Sequence, residues 1–114
     1  MIDHDRIAEL REEVGENDLA EVLQLFCEEV EETLERLAKG VFGDLAEELH
    51  FIKGSALNIG MTEVGRLCQK AETALRADAG CKPDIAPIAG AFRIANVAIL
   101  SKSPGSALSH KPGV

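Results

Sequence analysis

Between Gly15 and Gly40 the chain reads ENDLAEVLQLFCEEVEETLERLAK, and its apolar residues return every three or four positions. Leu19, Val22, Leu23, Phe26, Val30 and Leu37 share one phase, with Thr33 in the same stripe. That period lays a continuous apolar face along a long helix, and such a face must be covered by something else in the fold. Three more segments supply covers of the same kind. A helix expected from about Asp44 to Asn58 carries Leu45, Leu49, Ile52, Ala56 and Ile59 in phase. One from Thr62 to about Asp78 carries Val64, Leu67, Cys68, Ala71 and Leu75. One from Asp84 to about Lys102 turns Ile85, Ile88, Phe92, Ala95 and Ile99 inward. The resulting expectation is an all-α protein, an up-down-up-down four-helix bundle.

A short extra N-terminal helix over Met1–Val14, with Ile7, Leu10 and Val14 on one side, precedes the bundle as an appendage. Local signals set the ends. Asp3 can cap the first helix, Asn17 or Asp18 the second, and Gly40 closes the second after Lys39, a cation suited to a helix C-terminus. Gly60 stops the third helix, while Gly80 and Pro83 mark a turn. Pro87 is tolerable because it falls in the first turn of the last helix, where no N–H is needed. Residues 103–114 combine Pro, Gly and Ser without periodicity and are expected to be a disordered, flexible tail, leaving one domain over 1–102.

Composition agrees with helices. Of 114 residues 46% are hydrophobic, yet there is no Trp, no Tyr and only four Phe, so the core must be aliphatic. No apolar run approaches the ~18 residues of a membrane span. The acidic N-terminus is unlike a secretion signal, so a soluble, cytoplasmic protein with no membrane partner is expected. The net charge of −8 is lopsided: residues 1–50 hold 16 acids and 4 bases, residues 51–114 hold 4 acids and 8 bases. An acidic balance argues against nucleic acid as the partner, because phosphates repel it. Cys27, Cys68 and Cys81 form no CxxC pair and suggest neither zinc nor a redox motif. Cys27 and Cys68 fall among apolar helical positions as small packing groups, and Cys81 is expected to be exposed.

The third helix holds the residues that bear chemistry. Taking about 100° per residue and setting His50 at zero, the apolar stripe lies roughly 100–180° away. Gly43, Ala46, Glu47, His50, Lys53, Gly54 and Leu57 occupy the opposite side. The histidine therefore points out of the bundle. Gly in a helix interior costs about 1 kcal/mol relative to Ala. At Gly54, one turn past His50 on the exposed side, that cost makes sense if another molecule must approach the imidazole closely. Ala46, one turn before, is also small. A free imidazole titrates at about 6.5, so at neutral pH it is mostly the uncharged nucleophile. Lys53, three residues on, can set an ammonium beside anything attached to the ring, and a phosphoryl group there would gain charge-assisted hydrogen bonds.

The run His50-Phe51-Ile52-Lys53-Gly54-Ser55-Ala56, followed by Asn58 and Gly60, resembles the His-x-x-Lys-Gly-Ser pattern of the histidine-containing phosphotransfer (HPt) domains of multistep phosphorelays. The segment VGRLCQKAETAL, with its Leu67-Cys68 pair and Glu72, resembles the family's next helix. The likeness covers about residues 18–100. It implies that His50 carries a phosphoryl group, on Nε2, taken from the aspartyl phosphate of one response-regulator receiver domain and passed to another. It further implies that Lys53 steadies the phosphohistidine and that Gly54 makes room for the receiver. Mg²⁺ would belong to the receiver, so no cofactor or metal of this chain's own is expected, nor any autonomous ATP-dependent kinase activity. The absence of a Walker-type loop or glycine-rich lid agrees with that. A hybrid sensor kinase is the implied upstream partner, and the short length with an initiating Met favours a small free-standing monomer over the alternative of a domain within a hybrid sensor kinase or a chemotaxis-type kinase.

Docking is expected around Ala46, Glu47 and Leu57, reaching Leu25 on the neighbouring helix, with Gln69 tuning the site and Ser55 either tuning it or, the favoured reading, hydrogen-bonding within its own or the neighbouring helix. Ala56 stands where many relatives have serine and points inward; Phe51 is bulkier than expected beside His50 and narrows the receivers that fit. Two other readings compete. Glu47-x-x-His50 matches the Glu-x-x-His element of di-iron bundles, which requires a second copy and inward projection; His4 and His110 lie in terminal segments and supply no second copy. The alternative of a different class is a helical adaptor that binds receivers or other signalling proteins without accepting phosphate.

Overall fold

A computed structural model describes residues 2–101; the expected tail over 103–114 lies outside the described residues. Five helices follow in order: α1 (His4–Val14), α2 (Glu16–Ala38), α3 (Leu45–Asn58), α4 (Thr62–Ala77) and α5 (Ala86–Ser101). Helices α2 to α5 close a ring of neighbours: α2 against α3, α3 against α4, α4 against α5, and α5 back against α2. The most extensive packing is between α3 and α4, the pair that frames the site, while α1 lies on α2. No helix among the described residues is long and apolar enough to cross a membrane.

The helix starts show why these segments begin where they do. Asp3 Oδ1 accepts from Arg6 N at 3.1 Å, and Asp44 Oδ1 accepts from Ala46 N at 3.0 Å and Glu47 N at 3.4 Å. Each carboxylate satisfies amides that have no partner within the first turn. Asp84 Oδ1 accepts from Ala86 N at 3.0 Å, so α5 starts two residues later than expected with Pro87 still in its first turn. The expected caps of α2 are corrected: neither Asn17 nor Asp18 serves. Gly15, at φ 87°, is the sole residue between α1 and α2, which starts at Glu16 with no side-chain cap. A positive φ turns the chain within one residue, leaving no room for a cap further on.

The interior is aliphatic as composition demands: Leu23, Val30, Leu49, Ile52, Ile59, Val64, Ile88 and Phe92 are all shut off from water. Helix α1 is more than an appendage. Its Leu10 is buried, Ile2 forms an antiparallel bridge with Met61, and Asp3 N donates to Gly60 O at 2.7 Å. Gly60 sits at φ 84°, and a Cβ there would meet the Asp3 carbonyl oxygen at 2.8 Å, so conformation and space both call for glycine.

At the far end of α3, Arg36 donates to both oxygens of Glu48, at 2.7 and 3.3 Å, tying α2 to α3. Those hydrogen bonds hold the Glu48 carboxyl below the usual carboxylate range. Cys27 and Cys68 are buried packing groups; burial pushes the Cys27 thiol up to about 11 and the Cys68 thiol up to about 12. Cys81 is half-buried rather than exposed.

Candidate functional site

The Asp44 cap fixes where α3 starts, and the burial of Leu49, Ile52 and Ala56 fixes its rotation. Together they leave the ring of His50 on the outer ridge, with 72% of its side chain exposed. Gly54 is exposed one turn on. A Cβ built there meets nothing within 4 Å, so the fold itself has no steric need of glycine at that position. Ala46 and Glu47 are exposed a turn earlier, and Leu57 is exposed beyond Gly54.

Helix α4 supplies what the ring touches. Its Glu72 is buried to 9% side-chain exposure between α3 and α4, and Oε2 lies 3.4 Å from His50 Nδ1. A carboxylate only accepts, so this pairing favours the tautomer with its hydrogen on Nδ1. The Nε2 lone pair is then the free nucleophile. Glu72 Oε1 lies 3.3 Å from Lys53 Nζ, an ion-pair contact. It receives no hydrogen bond, and the ammonium donates to Gln69 Oε1 at 2.9 Å. Gln69 Nε2 in turn donates to Thr73 Oγ1 at 3.2 Å.

Lys53, which helical phase puts on the outward side with His50, is drawn back against α4. Only 20% of its side chain is exposed, and its head is held against α4 by Gln69 and Glu72. The ammonium is thus partly ordered and close to the carboxylate that also faces the imidazole. A cation held in this way loses less side-chain entropy on meeting an added anion than a free lysine would.

On the other flank, Phe26, Phe51, Gly54, Ser55 and Asn58 line an open hollow together with His50. Phe26, read from sequence as a core position, is half-buried and is the α2 residue that faces the hollow. Leu25 is exposed as expected but does not line it, and neither do Ala46, Glu47 or Leu57. Leu57 instead leans over Gly65 of α4, where a Cβ would lie 2.5 Å from its Cδ2. Ser55 is buried. No group of three or more metal-ligating side chains occurs among the described residues, and Glu47 and His50 both face outward, away from the interior placement a di-iron site requires.

The residue that sequence reasoning passed over is Glu72. It was part of the likeness but had no role, since only the rotation of α4 against α3 shows which α4 side chain meets the ring. A glutamate in phase with the buried positions Cys68 and Ala71 was the one available signal, because a carboxylate is rarely buried without a partner. A family model described as Hpt domain matches residues 21–99. Neither a curated protein nor a solved structure matches the chain.

Proposed function

The chain belongs to the Hpt domain family, phosphotransfer carriers of two-component signalling rather than kinases, and on that premise we propose that His50 is its phosphorylated residue. In this reading the chain is a phosphorelay intermediate that accepts a phosphoryl group from a receiver-domain aspartyl phosphate and hands it to a response-regulator receiver. The observation that carries it is the pairing of His50 Nδ1 with the buried Glu72 on a ring otherwise open to solvent.

The Nε2 lone pair attacks phosphorus in line; the N–P bond forms as the P–O bond to the receiver's aspartate breaks, and that carboxylate leaves with the electron pair. The ring becomes positive and keeps its Nδ1 hydrogen, which Glu72 stabilises through the 3.4 Å contact. Lys53 is near enough to share its charge between Glu72 and the new phosphoryl oxygens. Gly54 leaves the approach open, and Leu25, Ala46, Glu47 and Leu57 form the wider docking rim. Onward transfer is the same displacement reversed. No cofactor of this chain enters; Mg²⁺ acts from the receiver's side.

The test is incubation with a receiver carrying radiolabelled aspartyl phosphate. Wild type should take up label stable to alkali and labile to acid, and His50→Gln should take up none. The adaptor alternative predicts that both proteins bind the receiver and neither is labelled.

A further inference from the structure

Helix α1 precedes the matched segment, yet it reaches the rim of the hollow beside His50. Arg6 Nε donates to the backbone oxygen of Asn58 at 2.8 Å, and Arg6 Nη2 donates to Asn58 Oδ1 at 2.8 Å. The guanidinium is braced from behind by Glu9 Oε1 at 3.0 Å and Glu13 Oε2 at 3.6 Å. Beside it, the Asp3–Gly60 hydrogen bond and the Ile2–Met61 bridge fasten the same turn. The α3–α4 turn is therefore clamped from outside at the residue that lines the hollow with His50, Phe26, Phe51 and Gly54.

The clamp also sets the polarity of the Asn58 amide. Arg6 can only donate, so the oxygen must face it and the NH₂ group must face elsewhere. Asn58 Nδ2 has no hydrogen-bond partner among the described residues, and it is not among the buried atoms left unpaired, so water reaches it. An oriented amide donor thus stands on the hollow's rim two turns beyond the imidazole, next to the apolar edges of Phe26 and Phe51.

We propose that Asn58, positioned by Arg6, is a specificity-determining contact for the docking receiver. Its amide NH₂ donates to a backbone carbonyl or carboxylate on the receiver's face, and α1 acts as the part that pre-orients it. The inference rests on His50 being the transfer site. A partner lacking an acceptor at that place leaves a donor buried and unpaired on docking, which binding energy must offset. Arg6 is a positioning residue here, since it acts through Asn58.

The experiment measures phosphoryl transfer from a labelled receiver to the full chain at increasing receiver concentration, with melting curves recorded alongside. Asn58→Ala and Arg6→Met should each raise the half-saturating receiver concentration by roughly tenfold, as expected for one lost hydrogen bond of about 1.4 kcal/mol. The rate at saturation should stay near wild type. The double variant should be no worse than either single, because both remove the same contact. Arg6→Lys, which lacks the planar two-nitrogen fork, should not restore half-saturation. Unchanged half-saturation in Asn58→Ala overturns the inference while wild-type labelling upholds the transfer site. Effects that add in the double variant, or that follow melting temperature alone, also overturn it, since they mark Arg6 as structural. Absence of label on wild type removes the transfer reading itself, a result that Asn58 variants cannot mimic.

Discussion

Gly54 of α3 and Gly65 of α4 belong to the same packed pair of helices, and they are glycines for opposite reasons. A Cβ at Gly54 would meet nothing, whereas a Cβ at Gly65 would strike the Leu57 side chain at 2.5 Å. Gly65 is occupied space: the chain's own leucine fills the place a side chain would need. Gly54 is vacant space on the ridge that carries His50. The fold gives a steric reason for the first glycine and none for the second, which is the opening that the proposed receiver docking needs.

Paired substitutions should separate the two. Gly54→Leu should cut transfer from a receiver by roughly a hundredfold, the scale of a misplaced reactant, with melting temperature unchanged or raised because glycine is a poor helix former. Gly65→Leu should do the reverse in kind, lowering stability by about 1–3 kcal/mol through overpacking against Leu57. Normal transfer by the Gly54 variant would remove the access role.

Lys53 contacts the buried Glu72 from the same helix that carries His50. Lys53→Ala should shorten the lifetime of phosphorylated His50 several-fold, and it should also lower melting temperature, because buried Glu72 loses its cation. Adding Glu72→Gln should restore melting temperature without restoring lifetime. Recovery of both together would make Lys53 a structural residue only.

The smallest effect reports how dry the Gly65 side is. Cys68 lies one turn beyond Gly65, and burial pushes its thiol from 9.0 up to about 12. Its neutral form is favoured by the fold, so the corresponding stability is complete below pH 9 and lost as pH rises toward 12. Melting temperature between pH 8 and 11 should fall more steeply for wild type than for Cys68→Ala; parallel curves would mean water already reaches the seam.

Much of this was readable before any coordinates. The 3–4 spacing placed α3 within one residue of its observed ends and turned His50 outward, because one buried stripe fixes the phase of every other residue on a helix. What stayed hidden depended on pairs far apart in the chain. Arg6 meets Asn58 across 52 positions. Glu72 meets His50 only through the rotation of a second helix, and the carboxylate and amide that hold Lys53 also belong to α4. The misassigned cap at Asn17 or Asp18 has a simpler origin: a single glycine joined two helices where a longer connection was expected.

The strap of α1 across the α3–α4 turn has a practical consequence for trimming the protein. The family match starts at residue 21, but Leu10 and Leu19 are buried and Ile2 forms a β-bridge with the buried Met61. A fragment cut to the matched segment should retain every atom of the imidazole's immediate surroundings and still be sticky and poorly folded, with hydrocarbon bared along α2 and at the head of α4.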